Sequence, residues 1–301
     1  MSETRRGAIF GATAYLLWGI FPLYFKLLEP AGAVEVLAHR VVWSLVVVAL
    51  LVQVTRRWPG VRAVVADRGK LLRLAAAAAF LSLNWGVYVY GVITDRILET
   101  SLGYFINPLV TVMLGVVVLR ERLRLLQWVA LGVATIAVLV LSVAYGRPPW
   151  IALVLAFSFG AYGLLKKTAV VGALEGLTVE TAVLAPVAVV YLAAAQVSGA
   201  STLTSHGADH AGLLVLLGLI TAIPLLFFGA AASRVPLTTL GVLQYLAPTM
   251  QFLLGALLFH EALGTARLLG FCLVWTALCL FTADFVGMRR RSVRIAVPEP
   301  V

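Results

Sequence analysis

The sequence predicts an all-α integral membrane protein, with ten transmembrane helices arranged as two inverted five-helix repeats. Three observations lead there. Hydrophobic residues make up 62% of the 301-residue chain and charged residues only 12%, against about 45–50% and 25% in an ordinary soluble domain. Charge-free segments near the length needed to cross about 30 Å of hydrocarbon recur from end to end. Residues of the first half reappear 140 positions later. This composition excludes a water-soluble globule and leaves no room for a soluble catalytic domain. The net charge of +10 lies between apolar runs instead of along one exposed face. The expected partner is therefore the lipid bilayer, and no nucleic acid is expected. Cys272 and Cys279, the only cysteines, fall inside an apolar run, so neither a disulfide nor a cysteine metal site is expected.

Taken in order, the first span covers 7–25. It is a full span, so it is not read as a cleavable signal. The second is unusual, because the charge-free stretch 41–54 is too short to cross. Its helix must begin near Glu35 and carry Glu35, His39 and Arg40 into the outer third of the membrane. Residues 56–73 hold six bases and read as a loop. Spans at 74–94, 100–119 and 125–146 complete the first half. The second half has spans at 148–165, 181–197, 211–233, 235–259 and 268–283. The expected units are thus 7–146, 148–288 and a basic tail at 289–301. With the amino terminus inside, 18 of the 23 Lys and Arg residues become cytoplasmic, and the external loops keep only Arg96, Arg147 and Arg267. By the positive-inside rule both termini are cytoplasmic, as in a multi-pass plasma-membrane protein.

The repeat shows in polar and punctuating residues. Pro108, Leu114, Gly115, Glu121 and Leu123 recur as Pro248, Leu254, Gly255, Glu261 and Leu263. At a spacing of 138, Gly91, Arg96, Thr100, Leu102 and Gly103 recur as Gly229, Arg234, Thr238, Leu240 and Gly241. Because five spans is an odd number, the second copy enters the membrane from the opposite side. Such inverted repeats belong to secondary transporters, whose site lies at mid-depth between the halves.

At that depth the polar and aromatic candidates for contact with a small-molecule solute are Trp18, Asn84, Trp85, Tyr88, Tyr104, Asn107, Gln244 and Tyr245, with Pro22 and Pro224 nearby. Asn84 and Tyr88 share a helix face at spacing four, and Tyr104 and Asn107 at spacing three. An amide facing lipid would go unsatisfied, so each amide faces a cavity or bonds a neighbouring helix. Arg40 is read as an anion contact or gate, or else as an ion pair with Glu35 or a snorkelling cation. His39, one turn from Glu35, is a candidate for proton coupling or an interfacial hydrogen bond. Pro108 and Pro248 are candidate hinges. Glu121 and Glu261 read as helix caps or partners of an arginine, and Gly7 with Gly11 as a close helix contact. His206 and His210 around Asp209 lack an evident third ligand, so no metal is expected. No phosphate-binding G-x-x-x-x-G-K-[ST] loop, H-E-x-x-H or G-x-S-x-G motif occurs. That disfavours an ATP-driven pump or an enzyme, and no cofactor is expected. A polytopic membrane enzyme or signalling scaffold without solute flux is the alternative.

The segments EVLAHRVVWS (35–44), LNWGVYVYGV (83–92) and ETSLGYFINPLV (99–110) closely resemble the RarD family of bacterial EamA-type transporters. WGIFPLYFK (18–26), LAFSFGAYGLLKK (155–167) and TTLGVLQYLAPTMQFLLG (238–255) extend the likeness over nearly the whole chain. The resemblance implies membership of the drug/metabolite transporter superfamily, ten helices in two EamA repeats, and a plasma-membrane location. It also implies a central cavity lined by the first, third, fourth, sixth, eighth and ninth spans. Family naming links RarD to chloramphenicol, and relatives in the superfamily export metabolites. The implied activity is outward movement of a small metabolite or drug-like solute.

Overall fold

A computed structural model describes residues 2–93, 97–145 and 150–254 and, near the end, 265, 268–270, 272, 273, 275–277, 279, 280 and 283. Among these residues the regular structure is entirely helical. Arg96, Arg147, Arg267, Gly255, Glu261, Leu263 and the tail 289–301 lie outside the described residues.

α1 (Glu3–Lys26) opens on Ser2, whose side chain accepts the N–H of Arg5. α2 (Ala33–Val54) begins two residues before Glu35 and buries Glu35, His39 and Arg40, so the short charge-free stretch is the C-terminal part of a helix long enough to span. Where the sequence suggested a loop, α3 (Trp58–Ala66) forms a short helix. Pro59 sits in its first turn, where its missing N–H costs nothing. Val61 and Val64 bury against Val52, Leu74, Ala169 and Val179, which anchors this basic segment to the bundle. Asp67 then accepts the backbone N–H of Lys70 at the start of α4 (Arg68–Ile93). That hydrogen bond to the charged form holds its carboxyl below the ordinary carboxylate value.

α5 (Ile97–Val117) keeps Pro108 inside a continuous helix. α6 (Leu125–Tyr145), α7 (Trp150–Thr168), α8 (Ala173–Val197) and α9 (Gly207–Ala232) follow. The span expected at 235–259 divides into α10 (Leu237–Leu243) and α11 (Leu246–Leu253). Proline obstructs the carbonyl four residues back and supplies no N–H, and four residues before Pro248 stands Gln244, the C-cap of α10. The helix parts there, and the N–H of Tyr245 turns instead to the carbonyl of Val242 at 3.2 Å.

Six of these helices are long and apolar enough to cross a membrane, and shorter apolar stretches occur at Leu102–Val117, Leu125–Val140 and Leu268–Ala277. The radial distribution of polarity also requires lipid. Leu50, Leu139, Val187 and Val190 are exposed, whereas Arg40, Asn107, Lys166, Glu180 and Gln244 are buried. Such a molecule in water would expose its greasy side while hiding ions.

α1 packs against α9, α10 and α11, and α2 against α8 and α9. α4 packs on α7 and α8, and α5 on α7 and α10. Tyr15, Tyr162, Leu225, Phe228, Leu237 and Leu240 form the core where these contacts meet, with the Tyr162 and Phe228 rings stacked at 5.4 Å. At the α2–α9 contact, Gly218 is required by close approach. A Cβ there would land on the Trp43 backbone.

Candidate substrate site

Four helices converge on Arg40 of α2. Its Nε donates to Thr221 Oγ1 of α9 at 3.1 Å. The guanidinium carbon lies 4.3 Å from the ring centre of Trp85 on α4, and 5.7 and 5.8 Å from those of Phe25 and Phe21 on α1. Tyr88, one turn beyond Trp85, and Tyr104 of α5 lie within electrostatic reach of the guanidinium, their rings 6.1 Å apart. Among the described residues, no carboxylate stands within ion-pair distance of Arg40, although it is only 8% exposed. An arginine at the bilayer centre costs roughly 2.5–3.5 kcal/mol on insertion scales. A desolvated cation over a tryptophan face recovers about 2 kcal/mol. The aromatic cage thus offsets part of the charge's cost without a counterion.

A second polar group sits where α5 meets the break between α10 and α11. The Thr111 hydroxyl lies 3.5 Å from Asn107 Oδ1 and 3.2 Å from Gln244 Nε2, and all three residues are buried. The buried Tyr15 hydroxyl lies beside Gln244 with no completed hydrogen bond among the described residues. Asn84 is placed differently. Its amide donates to the Leu155 carbonyl at 2.8 Å and to Ser158 Oγ at 3.0 Å, tying α4 to α7. Trp18 packs among Tyr15, Phe159 and Phe228. Tyr245 donates to the Phe105 carbonyl at 3.4 Å and, with Pro108, lines a small apolar crevice reaching Leu131 of α6 and Ala277. The sequence candidates therefore divide between a cage around Arg40, an amide cluster at Gln244, and packing positions.

Glu35 and Arg40 turn to different neighbours. The Glu35 carboxylate accepts from Ser201 Oγ at 3.0 Å, the Thr202 N–H at 2.7 Å and Thr202 Oγ1 at 3.1 Å, so it closes the α8–α9 connection. His39 Nε2 is 3.9 Å from Glu35, and His39 Nδ1 accepts from Trp43 Nε1 at 3.2 Å. His210 joins Thr202 at 2.9 Å, while His206 is exposed beside Ser205. Among the described residues no group of three or more His, Cys, Asp or Glu could hold a metal. Glu121 is a cap, but of a helix in the other half of the chain. Its two oxygens accept the N–H groups of Leu237 at 2.7 Å and Thr238 at 2.9 Å, where α10 begins.

Comparison with known proteins places this architecture. A model of the EamA-like transporter family matches residues 5–143. Protein RarD of Streptomyces exfoliatus is 54% identical over 291 residues, covering 97% of this chain and 92% of that one. The chain belongs to the RarD-like EamA transporter family. The uncharacterized transporter YojE of Bacillus subtilis is 42% identical, covering 97% of this chain and 98% of its own. A solved crystal structure with a TM-score of 0.69 and 18% identity covers 91% of this chain and 96% of that one, a likeness of fold. The family is one of transporters and not of enzymes, and its bacterial members and apolar helices make this a multi-pass inner-membrane protein.

One feature of this EamA protein escaped the sequence reading. Lys166 Nζ of α7 meets Glu180 Oε1 of α8 at 2.7 Å, with both side chains buried. The Tyr162 hydroxyl lies beside Glu180, each with a buried oxygen lacking a hydrogen-bond partner among the described residues. Lys167 donates to the Val235 carbonyl at 2.6 Å. The spacing of 14 between Lys166 and Glu180 spans a helix turnaround, which no helical periodicity test detects. Thr111 and Thr221 were also missed, since a lone threonine in an apolar helix carries no pattern.

Proposed function

We propose that this EamA protein is a secondary transporter that exports a small polar or amphipathic solute. It works by alternating access between two inverted five-helix repeats, 7–146 and 148–288, with both termini cytoplasmic. The observation that carries the reading is a correspondence among helix contacts. If α1, α2, α4 and α5 exchange with α7, α8, α9 and α10–α11, the α4–α7 contact becomes α9–α1. The α5–α7 contact becomes the contacts of α10 and α11 with α1, and α2–α9 becomes α8–α4. The α2–α8 and α5–α10 contacts map onto themselves. Residues follow the same exchange. Gly32 and Gly172 are the extended N-caps of α2 and α8, and Glu35 and Glu175 stand in their first turns. A bundle built this way has two related packings of nearly equal energy, which is the requirement for opening to one side and then the other.

In this mechanism the Arg40 cage and the Asn107–Thr111–Gln244 cluster face the solute, and Pro108 and Pro248 serve as hinges. Outward direction rests on the family resemblance. The test is solute flux in proteoliposomes together with a cysteine placed at Asn107, after Cys272 and Cys279 are replaced by Ala. Saturable flux is expected, with labelling by an impermeant thiol reagent from either side. Pro108→Ala and Pro248→Ala should shift that labelling in opposite directions. Shifts in the same direction would remove the symmetric-hinge mechanism. Absence of flux across a metabolite and antibiotic panel would remove the transporter reading.

A further inference from the structure

Resting on the transporter reading above, we infer that the solute is an anion: a small acid with an apolar body, its oxyanion held by the guanidinium of Arg40. A guanidinium has five N–H donors and stays protonated. One is occupied, the Nε–H on Thr221 at 3.1 Å. The donors on Nη1 and Nη2 have no acceptor among the described residues, although Arg40 is 8% exposed. Trp85, Phe21 and Phe25 crowd around it with ring centres at 4.3–5.8 Å. Aromatic rings take up the faces of a guanidinium and leave its in-plane N–H edge available. That edge fits two oxygens of a carboxylate or phosphate through parallel hydrogen bonds.

The other half of the molecule supplies an internal comparison. In α8, Glu180 stands 140 positions after Arg40, in the same register from the glycine N-cap and first-turn glutamate. The buried charge at Glu180 is closed by Lys166 at 2.7 Å. The buried charge at Arg40 is left open, and the nearest acidic side chain on its own helix, Glu35, is committed to Ser201 and Thr202. A resident carboxylate would compete with an incoming one. Its absence keeps the edge free for an anion from outside. The rings of Trp85, Tyr88 and Tyr104 then meet the apolar body.

The experiment uses the full chain in lipid nanodiscs and titration calorimetry with phenylacetate, phenyl phosphate and neutral phenylacetamide. At least one of the two anions should bind tenfold or more tightly than the amide, and which one does so identifies the oxyanion class. Arg40→Lys should weaken the preferred anion about tenfold, and Arg40→Gln should make acid and amide equal. Equal binding of acid and amide by the unmodified protein, or no binding of either anion, overturns the proposal. That comparison needs no variant, so a variant that fails to fold leaves it decisive. Release of the preferred anion from loaded proteoliposomes separates the two readings. Binding without release removes the transporter reading and leaves the anion site. Release unchanged in Arg40→Gln removes the anion site and leaves transport.

Discussion

Replacing Lys166 by Met should destabilise the protein by about 3–5 kcal/mol, the cost of leaving a buried carboxylate without its counter-ion. The local geometry supports the upper part of that range. Glu180 is 1% exposed and lies 2.7 Å from the ammonium, and its second oxygen already lacks a partner among the described residues. Without Lys166, the Tyr162 hydroxyl is the polar group left beside the carboxylate. Glu180→Leu should cost less, because the lysine sits in the last turn of α7 and its flexible stem can carry the charge toward the helix end. The double variant should return to wild-type stability or exceed it, since replacing a buried pair by apolar groups is often neutral or stabilising by about 1–4 kcal/mol. Unfolding midpoints in mixed detergent micelles for the four proteins give the cycle directly. A Lys166→Met loss below about 1 kcal/mol, the range of exposed pairs, would refute the claim that this pair is dry. So would a double variant whose loss equals the sum of the single losses.

Four further outcomes are expected. Glu121→Ala should lower stability by about 0.5–2 kcal/mol, because two N–H groups opening α10 lose their cap; a thermal melt in detergent that does not move would contradict the cap. Gly218→Val should cost about 1–3 kcal/mol by forcing α2 from α9, and an unchanged melting temperature would mean the helices are not in close contact there. Asn84→Ala and Ser158→Ala should each cost roughly 0.6 kcal/mol, typical of an interhelical polar contact in a membrane; additive losses in the double variant would show that the two side chains do not interact. Pro248→Ala should let the N–H four residues on replace the 3.3 Å Ala247 donor at the Gln244 carbonyl and slow hydrogen exchange at 244–247 as α10 and α11 join, whereas unchanged exchange would show that the break has another cause.

The helices were legible because hydrocarbon leaves the backbone few options, and long charge-free segments therefore declare themselves. Even the second span followed from length alone, and with it the burial of Glu35, His39 and Arg40. α3 was hidden because six bases in 56–73 look like a solvated loop, while two valines suffice to dock a short helix. The break at Gln244 was written in Pro248. But Pro108 leaves α5 continuous, so the residue type alone does not decide between a bend and a break. Partners were least legible. Arg40 with Thr221 and Glu35 with Thr202 are separated by 181 and 167 positions, distances over which no local pattern operates.

Departures from internal symmetry are where an inverted-repeat protein carries its direction and its chemistry. A symmetric bundle alone would hold two equivalent packings and bind a solute equally from either side. Under the proposed exchange of halves, corresponding positions in α2 and α8 carry opposite charges, one open in an aromatic cage and one sealed by Lys166. Corresponding prolines leave one helix whole and divide the other, and the division exposes Gln244 to Thr111 across the interface between the halves. Both asymmetries act on the same contact zone, since α5 supplies Tyr104 to the cage and Thr111 to the amide cluster. If Pro248 acts as the proposed hinge, movement of the divided helix against α5 reaches both polar groups at once, and the proposed mechanism then couples occupancy of the cage to the state of the hinge through one helix.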